Sequence, residues 1–134
     1  MDRGSFFAMK TLLIDDSKFQ RMAIQRALGR AGYEVITADD GESGLRTAQQ
    51  AQPDIIVLDM MLPKISGVDV LRSLRQEQST EKVPVIVLTG LSEQNKSKLL
   101  AEGATEFLSK SEVMSDGSCA PLIRAMSLLC ASRH

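Results

Sequence analysis

Apolar and polar positions alternate between two textures along this chain. Short apolar runs recur at "KTLLID" (10–15), "YEVITA" (33–38), "DIIVLD" (54–59), "PVIVLT" (84–89) and "TEFLS" (105–109). The third and fourth are nearly unbroken aliphatic runs, as in parallel strands covered on both faces. "YEVITA" alternates and is expected nearer an edge. Between the runs the spacing turns helical. Ile24, Ala27, Leu28 and Ala31 fall at i, i+3, i+4 and i+7 on one face of 17–31, with Ser17 as N-cap and Gly32 as stop. Asp39 or Asp40 would cap 41–51, Ser66 would cap 67–76, and Ser92 would cap a helix closed by Gly103. Leu122, Ala125, Met126 and Leu129 share a face in 118–131, where Pro121 fits the first turn. Five strands alternating with five helices predict an α/β fold, a doubly wound five-stranded parallel sheet.

The length changes this picture little. A chain of 134 residues is one domain, able to bury roughly two-thirds of its unfolded surface. A hydrophobic fraction of 43% with 25% charged residues is ordinary for a soluble globular protein. A net charge of −1 offers no electrostatic footprint for nucleic acid. No apolar run approaches the ~20 residues of a membrane span, and the patch at 6–9 is too short for a signal-peptide core. Residues 1–8 read as an N-terminal extension or expression remnant and 132–134 as a tail, leaving 9–131 as the domain. Cys119 and Cys130 show no metal-ligand spacing and read as reduced, buried small residues, pointing to a reducing, intracellular compartment. The one histidine, His134, is the last residue, which argues against a histidine-centred site.

Ligands of such sheets bind beyond the carboxyl ends of the strands. There the chain places Asp15 and Asp16 after the first run, Asp59 after the third, Thr89 after the fourth and Lys110 just past the fifth. Singly these are a helix cap, a β-branched strand residue or a surface charge; at one sheet edge they form a chemical set. Three neighbouring carboxylates repel unless a cation sits among them. Oxygen-only ligation suits Mg²⁺, which keeps several waters and accepts phosphate oxygens. Phosphoryl transfer needs mainly positioning and charge stabilisation, and a carboxylate can itself be the acceptor. Asp59, alone on the central strand and facing the Asp15–Asp16 pair, is the natural acceptor.

With these residues in view the chain resembles the response-regulator receiver domain over about 9–131. The motifs are "LLIDDS" (12–17), "IIVLDMMLPKISG" (55–67), "VIVLTG" (85–90) and "GATEFLSK" (103–110), at separations of 43, 30 and 21 residues between Asp16, Asp59, Thr89 and Lys110. The resemblance implies a flavodoxin-like strand order 2-1-3-4-5 and a two-component signalling switch. Asp59 would accept a phosphoryl group from a phosphohistidine on a sensor histidine kinase or phosphotransfer protein. Asp16 would bind Mg²⁺ directly, Asp15 through a water, and Asp59 and the Met61 backbone carbonyl would complete the protein ligands. Thr89 and Lys110 would contact phosphoryl oxygens, and Phe107 falls at the aromatic switch position. The face formed by 92–131 would bind a downstream partner or output domain. The resemblance implies no direct nucleic-acid or membrane binding, a cytoplasmic location, and no enzyme activity beyond the domain's own phosphorylation and dephosphorylation. No output domain follows, so the chain is expected to be a stand-alone regulator or a receiver cut from a longer protein.

Three departures qualify that reading. Ser111 stands where the family has proline, so a trans Lys110–Ser111 bond and some slack in Lys110 are expected. Phe107 lacks a tyrosine's hydroxyl, which implies a soft packing switch, or simply a core residue. Met61 and Leu91 are apolar at positions that influence water access, which implies slow self-hydrolysis. Two rival readings remain. A phosphatase of the haloacid dehalogenase type would need an acid where Met61 stands. A degenerate receiver, acting as a phosphorylation-independent interaction module, would not need the complete set of five residues.

Overall fold

The computed structural model describes residues 9–90 and 96–131. Its elements in order are β1 (Lys10–Ile14), α1 (Lys18–Arg30), β2 (Glu34–Ala38), α2 (Gly41–Ala51), β3 (Ile55–Asp59), α3 (Gly67–Gln76), β4 (Val85–Thr89), α4 (Lys96–Ala101), β5 (Glu106–Ser109), α5 (Lys110–Val113) and α6 (Ala120–Ala131). The strands form one parallel sheet in the order β2-β1-β3-β4-β5. The alternating segment "YEVITA" supplies the edge strand β2, and the two aliphatic runs lie inside the sheet.

Successive side chains of a strand point to opposite faces, and the sequence exploits this by being apolar at both. Leu12, Ile14, Ile56, Leu58, Val85 and Val87 pack with Ala48 of α2, Val70, Leu71 and Leu74 of α3 and Leu99 of α4. Leu13, Ile55, Val57, Ile86 and Leu88 pack with Ile24, Ala27 and Leu28 of α1, Val113 of α5 and Leu122 and Met126 of α6. Every residue of β3 and β4 is buried. The caps are those expected where they can be compared. Ser17 accepts from Gln20, Asp40 from Ser43 and Ser66 from Asp69 through their backbone N–H groups. Ser92 lies outside the described residues.

There are six helices among the described residues rather than five. The addition is α5, a single turn beginning at Lys110, capped by the Ser109 side chain. Its four residues are too few for a periodic signal. The last helix begins at Ala120, after the polar stretch 114–118.

The register levels the strand ends. Leu58 pairs with Ile14 on one side and Val87 on the other, so Asp15, Asp59 and Thr89 emerge together. Beyond β3 the chain folds back closely: a Cβ on Gly67 would lie 2.7 Å from Met60 Cα. Only glycine permits that approach, and it presses the start of α3 against the segment that follows Asp59.

Candidate functional site

The carboxyl edge of the sheet gathers the acids. One carboxylate oxygen each from Asp15, Asp16 and Asp59 lies within 4.8 Å of the others. Asp15 is wholly buried and Asp59 is 1% exposed, whereas Asp16 is open to solvent. Their mounts are fixed by backbone bonds just outside the strands. The Asp15 N–H donates to the Ala38 carbonyl at 3.0 Å, and the Met60 N–H to the Leu88 carbonyl at 3.0 Å.

Asp59 is held through both oxygens. The Met61 N–H donates to Oδ1 at 2.9 Å, and the Lys110 ammonium lies 3.1 Å from Oδ2. The Gln20 side-chain amide also donates to Oδ2, at 3.0 Å. Asp15 accepts from the Ser17 N–H at 2.9 Å and from the same Gln20 amide. The Arg21 guanidinium donates to the Asp15 backbone carbonyl at 2.9 Å. An open cleft of about 320 Å³ adjoins this edge, lined by Arg21, Thr37, Ala38, Asp39, Ser43 and Thr47, but it contains none of the three clustered acids.

Charge is unbalanced here. Three carboxyl groups face one ammonium, and the Lys110 side chain is itself 24% exposed. Burial pushes the Asp15 carboxyl above its ordinary value, and the nearby Asp59 charge adds to the rise. Hydrogen bonds from Ser17 and Gln20 and the Lys110 charge pull the other way without prevailing. A buried acid that resists ionisation beside two more acids suits a cation, and the all-oxygen donor set suits a hard divalent one. Asp15, Asp16 and Asp59 are the residues that would hold it.

The expected site residues mostly converge. Thr89 ends β4, fully buried, one residue beyond the partner of Asp59. Phe107 pairs with Val87 and is half-buried against the α2–α4 core. Met61 joins the site through its N–H, while its side chain is 59% exposed. The Lys110–Ser111 bond is trans, as expected, since no described peptide bond is cis. A helical turn begins at Lys110: Ser109 caps it, and the Ser109 hydroxyl pairs with that of Ser111 at 2.9 Å. Leu91 lies outside the described residues.

Sequence reasoning missed Gln20 and Arg21. Both sit in the first turn of α1, immediately after the acids, and that position was the only signal available.

The chain matches the family model for the response regulator receiver domain over residues 11–117. It is 41% identical over 102 residues to the alkaline phosphatase synthesis transcriptional regulatory protein PhoP of Bacillus subtilis, covering 75% of this chain and 42% of that protein. The chain thus spans less than half the length of that relative. The Francisella response regulator 1452 receiver domain superposes with a TM-score of 0.84 at 29% identity, covering 94% of this chain and 99% of that one. The receiver domain of sensor histidine kinase PA1611 from Pseudomonas aeruginosa, which has a magnesium ion coordinated in its active-site cleft, superposes with a TM-score of 0.77 at 28% identity, covering 88% and 93%.

Proposed function

This chain belongs to the response regulator receiver domain family, and on that premise we propose that it is a phosphoacceptor switch whose acceptor is Asp59. The observation that carries the proposal is the meeting of Asp15, Asp16 and Asp59 within 4.8 Å, with Lys110 at 3.1 Å from Asp59. A bond forms between an Asp59 oxygen and phosphorus as the phosphorus–nitrogen bond of a phosphohistidine breaks. The departing electron pair stays with the imidazole nitrogen, which takes up a proton. A bound Mg²⁺, held by Asp15, Asp16, Asp59 and the Met61 carbonyl, would supply charge stabilisation to the phosphoryl oxygens. Lys110 contributes a positive charge at the acceptor, and the Thr89 hydroxyl meets a phosphoryl oxygen after transfer. The Met61 N–H orients the carboxylate from its other oxygen. The chain acts once on itself in each cycle, so it is a signalling module rather than an enzyme with a separate substrate.

The donor is a sensor histidine kinase or a histidine phosphotransfer protein. Phe107 reports the change by repacking against the core, and the 92–131 face passes it to a protein partner or output domain. The near-neutral charge supports a receiver that does not itself hold nucleic acid. The name of the Bacillus relative links that whole protein to transcription. Among the described residues no helix is long and apolar enough to cross a membrane, which fits the cytoplasmic location proposed for it.

Intact mass after incubation with acetyl phosphate and Mg²⁺ tests the proposal. A gain of about 80 Da, absent in Asp59→Asn and absent without Mg²⁺, is the expected result. No gain under any condition would favour a phosphorylation-independent interaction module.

A further inference from the structure

The acid cluster contains one side chain that neither phosphoryl chemistry nor charge balance calls for, Gln20. It is the third residue of α1 after the Ser17 cap, so "SKFQ" matches the pattern in which a helix-start glutamine accepts from the cap residue's N–H. That bond is not made. The Ser17 N–H donates to Asp15 Oδ1 at 2.9 Å instead, and this releases the Gln20 carboxamide to turn toward the sheet edge. There its nitrogen donates to Asp15 Oδ2 and, at 3.0 Å, to Asp59 Oδ2. One neutral amide therefore bridges two acids from different strands, in a half-buried position.

We propose that Gln20 is a built-in competitor for the cation site: its amide takes carboxylate oxygens that a divalent cation takes, and so lowers the affinity of the pocket for metal. The inference rests on the reading of Asp15, Asp16 and Asp59 as the cation ligands given above. Hydrogen bonds to charged acceptors are the stronger kind, and a donor fixed in the first turn of a helix loses little freedom in making them. A cation entering among these oxygens has to break both. Their loss is subtracted from the binding free energy, so the affinity is set partly by a residue that is not a ligand. The same two bonds hold Asp15 and Asp59 together against their repulsion, so Gln20 stabilises the protein when metal is scarce.

Calorimetric titration of the full chain with MgCl₂ alone tests this, comparing the wild type with Gln20→Met, which keeps the length and removes the donor, and Gln20→Asn, whose shorter arm does not reach. Both variants are expected to bind Mg²⁺ about threefold to tenfold more tightly. Their melting temperatures should be lower than wild type in EDTA and equal to it at saturating Mg²⁺. Unchanged or weaker Mg²⁺ binding in both variants would overturn the inference, and weaker binding would identify the Gln20 carbonyl as supporting the ion. If neither wild type nor variants bind Mg²⁺, the cation reading of the cluster fails and this inference falls with it. Binding by the variants alone would uphold both.

Discussion

Two clusters of charge occupy opposite ends of the sheet, and they are compensated in opposite ways. At the amino ends of β4 and β5 the half-buried Arg75 donates to the carbonyls of Gly103 at 2.9 Å, Thr80 at 3.2 Å, Glu81 at 3.0 Å and Val83 at 2.7 Å. Burial pulls its pKa below the usual arginine range, yet four fixed backbone dipoles answer the charge. At the carboxyl ends three acids share one ammonium and one amide. The first arrangement is closed, and nothing exchangeable is needed to complete it. The second leaves charge over, and on the proposed reading that surplus is what a cation and a phosphoryl group would answer. Satisfied polar groups hold a fold together, while an uncompensated cluster of charge is a candidate place for chemistry.

The comparison is broken most severely by removing the closed cluster's centre. Arg75→Ala removes a donor from four carbonyls, of which that of Thr80 keeps the Val83 N–H, and strips the aliphatic stem packed on Gly103. It is expected to destabilise the protein by about 2–3 kcal/mol in urea denaturation. The folded fraction should still gain the phosphoryl mass, and a loss of that gain would show that the two ends are not independent.

A smaller effect of opposite sign is expected at the open cluster. Asp15 has its folded pKa raised, chiefly by burial and further by Asp59. A raised acid penalises the folded state while ionised, so stability falls as pH rises through the folded pKa. Asp15→Asn in EDTA at neutral pH should raise the melting temperature by roughly 2–5 °C and weaken Mg²⁺ binding. That thermal advantage should disappear as pH drops below the ordinary aspartate value of 3.8, where Asp15 is protonated in both states. An advantage that persisted in acid would mean the penalty is steric.

The smallest expected effect lies inside the core. Thr11 Oγ1 on β1 is fully buried and lacks a hydrogen-bond partner among the described residues. Valine has nearly the same shape, so Thr11→Val should stabilise by about 0.5–1 kcal/mol in urea denaturation without changing Mg²⁺ affinity. A destabilised variant would reveal a partner for that hydroxyl.

What could be read from sequence tracks how local each signal is. The strands β3 and β4 declare themselves because burial on both faces leaves no polar position to interrupt the run. The acids declare themselves because a charge at the end of such a run has no packing role. Gln20 was hidden because its spacing from Ser17 already had a sufficient local meaning, and only the competing bond from Ser17 to Asp15 changes it. Arg75 was hidden for a different reason. Its partners are backbone carbonyls five to twenty-eight residues away in sequence, and any residue type supplies a carbonyl. The turn at Lys110 depends on one serine cap and four residues, below the length at which periodicity can speak.

The wholly buried β3 carries a consequence for time. Its amides sit in ladders with β1 and β4 on either side, so the backbone beneath Asp59 opens only when the whole domain does. Lys110, by contrast, starts a single turn held by one cap and one pair of hydroxyls, contacts that open far more often. Asp59 and its ion-pair partner Lys110 thus run on separate clocks. On the reading proposed above, a phosphoryl group would sit on a strand that opens rarely, and the ammonium beside it on a turn that opens often.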